Sequence, residues 1–174
     1  MEQINEIRSA LPAAAKDIKL NIQSVLNPDK LDAQQTWGVA LTSAFFLKDA
    51  ELTDAVLADA KAAGLSDEMI DDAKAAAAIM AMNTVYYRFR HMVANDAYAN
   101  LPARLRMNRM AQPVTDKTTF ELFSMACAAL AGCEMCINAH EEALKKQGLG
   151  EDAIHDCIRI AATVNALSTS ATLV

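Results

Sequence analysis

The stretch "SDEMIDDAKAAAAIMAMNTVYYRF", residues 66–89, contains no glycine and no proline and is rich in strong helix formers. Ser66 stands where a helix N-cap is expected, directly before the run. The pattern predicts one long helix from Asp67 to about Tyr98, with its alanine-rich middle largely buried.

Working outward, the neighbouring segments read the same way. "DAELTDAVLADAKAAG" (49–64) predicts a helix that stops at Gly64, a C-terminal cap. "DAQQTWGVALTSAFFL" (32–47) places Trp37, Leu41, Ala44 and Phe45 at helical spacing. An opening helix fits "INEIRSAL", and Asn27-Pro28 marks a loop. On the C-terminal side, "NLPARLRMNRMAQPVTDK" (100–117) carries Pro102 and Pro113 and reads as a connector. Helices are expected beyond it at 118–130, 133–147 and 151–168, parted by Gly132 and the Gly148-Leu149-Gly150 turn. No segment sustains period-two alternation. The expectation is an all-α helical bundle with essentially no sheet, forming a single domain over 1–174.

The halves share a pattern. Shifted by 84 positions, "AGLSDEMIDDAKAAAAI" lies over "QGLGEDAIHDCIRIAAT", so that Gly64 meets Gly148 and Ile70 meets Ile154. The expectation is an internal repeat with halves of about 30–98 and 115–174. Under that shift Cys133, Cys136 and His140 fall on Asp49, Leu52 and Val56, and Glu121 falls on Trp37. The reactive groups belong to one copy only.

Composition narrows the function classes. Fifty-three per cent of the 174 residues are apolar, enough for a sizeable interior. The formal charge of −6 argues against a nucleic-acid partner, which needs a basic surface. Arg104, Arg106 and Arg109, and the Arg88/Arg90 pair, are read as ion pairs and solvated helix ends. "MEQINEIRSALP" lacks the organisation of a signal segment, and no apolar run reaches membrane-spanning length. The expected compartment is the cytoplasm, where paired cysteines more often serve metal binding or redox chemistry than structural crosslinks. No glycine-rich phosphate loop occurs.

The chemistry concentrates in "LAGCEMCINAHEEAL" (130–144). On a helix, Cys133, Cys136 and His140 fall within about 60° of one another and share a face. Gly132 puts the cysteines at the first turn, where free amides and the dipole favour thiolate. His140 can accept or return a proton, and C-x-x-C spacing lets one thiol resolve a mixed disulfide formed by the other. A second reading stays open: Cys133, Cys136 and His140, with Cys157 or Cys127, as zinc ligands of a metal-stabilised binding module. Cys127 and Cys157 themselves lie in apolar runs and read as packed thiols. His91 and His155 read as surface or helix-end residues, and Met80, Met82 and Met107 as packing. Glu121 has two readings. It completes a capping box with Thr118 as N-cap, or it is a buried carboxylate near His140 that shuttles protons.

With those residues in view, the chain resembles the alkyl hydroperoxidase AhpD family, within the carboxymuconolactone decarboxylase-like superfamily. The resemblance rests on Glu121, Cys133, Cys136 and His140 at the family's spacing, and on "LPAAAKDIKLNI", Trp37-Gly38, "IMAMNTVYYR" and "LRMN". It implies an antioxidant dithiol enzyme with no bound cofactor, assembled as a homotrimer. Such an enzyme reduces alkyl hydroperoxides and regenerates an AhpC-type peroxiredoxin. It is itself re-reduced by a dihydrolipoyl group, supplied by a lipoyl-bearing acyltransferase and lipoamide dehydrogenase. It also implies Cys136 as the peroxidatic thiol that bonds the peroxiredoxin, Cys133 as proton donor and resolving thiol, and Glu121 with His140 as the proton relay. Some members carry histidine before the second cysteine; here that position is Met135, whose thioether cannot relay protons. A carboxymuconolactone decarboxylase-like activity is the remaining alternative, one that gives no reason for a vicinal dithiol.

Overall fold

The computed structural model describes residues 1–173. Among them are ten α-helices and no strand. They are α1 (Glu2–Ala10), α2 (Lys16–Val25), α3 (Ala33–Leu47), α4 (Ala50–Ala62), α5 (Asp67–Met92), α6 (Asp96–Ala99), α7 (Asn108–Ala111), α8 (Lys117–Ala131), α9 (Glu134–Lys146) and α10 (Glu151–Ala171). A single 3-10 turn, Ala13–Ala15, leads into α2.

Helices α3 and α8 form the centre. Helix α3 packs on α4, α5, α8 and α10, and α8 packs on α3, α5, α9 and α10. Thr36 through Ala44 are all buried, so the middle of α3 has no solvent face. The hydroxyls of Thr42 and Ser43 are satisfied within the helix by donating to the carbonyls of Gly38 and Val39. The two central helices meet where Gly38 faces Phe123, leaving no room for a Cβ. Asp32, Asp49, Ser66 and Asp116 each accept a first-turn amide of the helix they precede. Asp59, buried on α4, accepts from the Gln3 and Ile4 amides and so ties α1 to the bundle.

The bounds of α3, α4 and α5 recur 84 residues later as the starts of α8, α9 and α10. On that register we propose that 30–98 and 115–174 are two copies of one unit.

Several local expectations shift. The long helix ends at Met92 rather than Tyr98, because Ala94 turns to a positive φ of 48° and only a short α6 follows. Helix α2 lies where no helix was assigned, and the connector contains α7. The capping box at Thr118 does not form. Asp116 caps α8 instead, bonding the Thr119 amide, while Thr118 donates to Gln147. Glu121 therefore sits two residues deeper in the helix than a box at Thr118 would put it, and takes another partner.

Buried Asp72 fastens the connector to α5. It accepts from Arg109 Nε, from the amides of Val114 and Thr115, and from the Thr115 hydroxyl. Asp71 also pairs with Arg109. This contact anchors α7 beside the site described next.

Candidate active site

Helix α8 ends at Gly132, which adopts a left-handed φ of 62° that glycine accepts without cost. Arg88 of α5 holds the same turn by donating to the Ala131 carbonyl at 2.7 Å. The chain then reverses into α9 with Cys133 as N-cap and Cys136 one turn in. Cys133 makes no side-chain cap bond, so the first-turn amides of α9 are not consumed by a capping oxygen. At the corresponding place in the first half, Asp49 does cap its helix.

Cys133 and Cys136 are joined as a disulfide, with Cα atoms 5.2 Å apart. They sit in a small apolar cluster with Met80, Cys127 and Ala128, apart from the main core. Cys133 is fully buried, whereas Cys136 is 5% exposed and opens onto a cavity of about 320 Å³. Of the two cysteines, only Cys136 lines that cavity. His140 lines it as well, one turn further along α9.

His140 Nδ1 lies 2.6 Å from Glu121 Oε2. Both side chains are largely shielded, at 8% and 17% exposure. When the carboxylate is ionised it can only accept, which puts a hydrogen on Nδ1 and, in the neutral imidazole, leaves the lone pair on Nε2. An imidazole held this way can take a proton from a thiol and later deliver it to a leaving oxygen. The four residues singled out at the second half's site are thus brought together.

The other cysteines stand differently. Cys157 is buried and donates to the Leu122 carbonyl, and burial pushes its thiol up to about 12. Burial, reinforced by nearby Cys157, raises Cys127 further still. Among the described residues, no group of three or more His, Cys, Asp and Glu is arranged to hold a metal ion. His91 is half exposed, 3.3 Å from Glu134 at the start of α9, and His155 is exposed.

One feature was missed in the sequence. Met80 and Met107, read as packing, form the cavity wall with Tyr87, Met110 and Met135. Helical spacing places Met80 inward from α5, but Met107 and Met110 arrive from the connector, which has no periodicity to read. Among the described residues, no helix is long and apolar enough to cross a membrane.

This fold and site are those of a helical dithiol protein, and comparison gives the family. Residues 96–173 match the carboxymuconolactone decarboxylase family model. An alkyl hydroperoxide reductase AhpD of Anaeromyxobacter sp. (strain Fw109-5) is 49% identical over 170 residues, covering 98% of this chain and 91% of the relative. The protein of the same description from Maricaulis maris is 47% identical over 165 residues, covering 95% of both chains. That from Gluconacetobacter diazotrophicus is 42% identical, covering 96% of this chain and 91% of the relative. The chain belongs to the AhpD family.

Proposed function

We propose that the protein is an alkyl hydroperoxide reductase and peroxiredoxin-regenerating dithiol enzyme, re-reduced by dihydrolipoyl groups. The observation that carries the reading is the cysteine pair at the mouth of α9. One of the two, Cys136, lines a cavity shared with a carboxylate-held histidine.

In the reduced enzyme, His140 takes the Cys136 proton, and the thiolate attacks the distal oxygen of a hydroperoxide. The O–O bond breaks, Cys136 becomes a sulfenic acid, and the departing alkoxide receives a proton from His140. Cys133 then attacks that sulfur, water leaves, and the disulfide seen here forms. A dihydrolipoyl dithiol opens it by exchange and is released as the cyclic disulfide, restoring both thiols. With an oxidised AhpC-type peroxiredoxin, the Cys136 thiolate instead enters a mixed disulfide, which Cys133 resolves. Glu121 holds the imidazole in its working tautomer throughout. Met135 brings no proton-transfer group, so His140 and Glu121 carry the relay alone. A homotrimer working in the cytoplasm completes the proposal.

The test is an NADH-coupled assay with lipoamide dehydrogenase and lipoamide, using an alkyl hydroperoxide and then an oxidised peroxiredoxin. Turnover in both formats that disappears with Cys136→Ser is the expected result. Wild-type rates in that variant would end the proposal. A lactone-decarboxylating enzyme would instead keep its activity after both thiols are alkylated.

A further inference from the structure

Two side chains of α5 grip the turn that carries Cys133. Arg88 Nη1 donates to the Ala131 carbonyl at 2.7 Å, two residues before Cys133. One turn further along α5, His91 Nε2 stands 3.3 Å from Glu134 Oε2, one residue after it. Cys133 lies between the two contacts. Ala131 itself packs against the cluster that holds both cysteines.

The first half of the chain shows what this turn lacks. There Asp49, at φ −91° and ψ 106°, accepts from the Leu52 amide and fixes the start of α4 unaided. Cys133 has nearly the same backbone, φ −93° and ψ 91°, but makes no side-chain cap bond. Sulfur is a weak acceptor, and this one is committed to Cys136. In the oxidised protein the disulfide tethers Cys133, and reduction removes that tether. The backbone bonds from the Cys133 amide to Ala128 and from the Ile137 amide to Cys133 then remain, together with the α5 contacts. Of those contacts, the His91–Glu134 pair joins side chains 48% and 71% exposed, a kind of ion pair that contributes little. The Arg88 bond is different, because a charged donor on a main-chain carbonyl acts on the backbone itself.

We propose that Arg88 is a positioning residue for disulfide closure, taking the place of the missing cap and keeping Cys133 poised beside Cys136 once the bond is open. The role rests on the dithiol cycle proposed above, not on which oxidant drives it. In the closing step the Cys133 sulfur attacks the sulfenic sulfur of Cys136. The S–S bond forms, the S–O bond breaks, and the hydroxyl leaves as water with the Cys133 proton. Arg88 exchanges no proton and touches neither sulfur's partner. It shortens the search that Cys133 must make.

The experiment compares whole wild-type chain with Arg88→Met, which keeps an apolar stem and loses the donor; Arg88 is exposed, so the core is untouched. Thermal melting confirms that both are folded. The first readout gives the reduced proteins one equivalent of cumene hydroperoxide with a sulfenic-acid trap present, and measures trapped Cys136 against closed disulfide. The second equilibrates each protein in mixtures of lipoamide and dihydrolipoamide and measures the disulfide fraction by alkylation and mass, with no peroxide needed. Loss of one hydrogen bond that orders the turn predicts roughly a threefold to tenfold shift in each, toward trapped sulfenic acid and toward open dithiol. Consumption of the hydroperoxide itself, which needs Cys136 and His140, should slow far less. Either readout unchanged in Arg88→Met overturns the role. So does a shift toward the disulfide, the sign expected if Arg88 served only as a charge favouring thiolate. A wild-type pair that stays closed in excess dihydrolipoamide overturns the role and the dithiol reading together. A wild type inert to the hydroperoxide overturns that reading alone, and the lipoamide equilibrium then decides the role of Arg88.

Discussion

Glu121 Oε2 stands 2.6 Å from His140 Nδ1, joining the middle of α8 to the face of α9 that carries the cysteines. The carboxylate removes one of the two imidazole tautomers, so the proton-accepting nitrogen is fixed before substrate arrives. His140→Ala is expected to lower hydroperoxide turnover by about 10²–10⁴-fold, the usual range of general acid–base help. Glu121→Gln keeps the shape but weakens the charge-assisted bond. Its expected cost is about 1.5–3 kcal/mol, or roughly tenfold to a hundredfold in rate. Steady-state rates of both variants in the NADH-coupled assay check the order, with His140→Ala the slower.

The cavity makes a prediction about which sulfur meets reagents first. After reduction, iodoacetamide at neutral pH should modify Cys136 before Cys133, because only Cys136 lines the cavity and Cys133 is fully buried. Cys127 and Cys157 should remain unlabelled until the protein unfolds, since burial raises both thiols and leaves almost no thiolate. Peptide mass mapping over a time course gives the order. Early labelling of Cys157 would contradict it.

How much of this could be read from residues alone depended on the range of the signal. Cys133, Cys136 and His140 share one helix, so spacing sufficed to place them on one face. Glu121 is 19 residues from His140, and their meeting depends on α8 packing against α9. Spacing alone left it divided between a cap and a relay, and Asp116, by capping α8 itself, takes the capping role away from Thr118 and Glu121. The end of α5 escaped prediction because Ala94 breaks the helix without glycine or proline. The methionine wall escaped because α7 reaches the cavity through tertiary contacts: Arg109 bonds Asp72, and Met110 receives the Asn83 amide.

Asp72 supports a stability prediction with a definite pH window. Its burial alone would raise the carboxyl, but hydrogen bonds from Thr115, Arg109 and Val114 outweigh that and lower it below 3.8. A group depressed in the folded state adds stability above its unfolded value, and that contribution fades as pH falls through the folded value. Asp72→Asn should therefore cost about 1–3 kcal/mol at neutral pH. The gap from wild type should narrow only below about pH 3.9, where the unfolded carboxyl also protonates. Urea melts across that range check it. A gap independent of pH would show that the charge contributes nothing.

The meeting of α3 and α8 predicts a packing effect. A Cβ at residue 38 would run into the Phe123 ring, so Gly38→Ala is expected to destabilise by about 1–3 kcal/mol despite alanine's better helix propensity. The pair Gly38→Ala with Phe123→Leu should recover part of the loss. Equal melting temperatures for wild type and Gly38→Ala would show that the ring moves aside freely.

The central claim is that Cys136 receives the oxidising equivalent and Cys133 closes the bond. Its most direct measurement is the intact mass of reduced Cys133→Ser and Cys136→Ser proteins after one equivalent of cumene hydroperoxide and a sulfenic-acid trap. The account predicts that Cys133→Ser carries the trapped adduct on Cys136, while Cys136→Ser stays reduced. An adduct on Cys133 in the Cys136→Ser protein, formed as fast as the wild type oxidises, would contradict it.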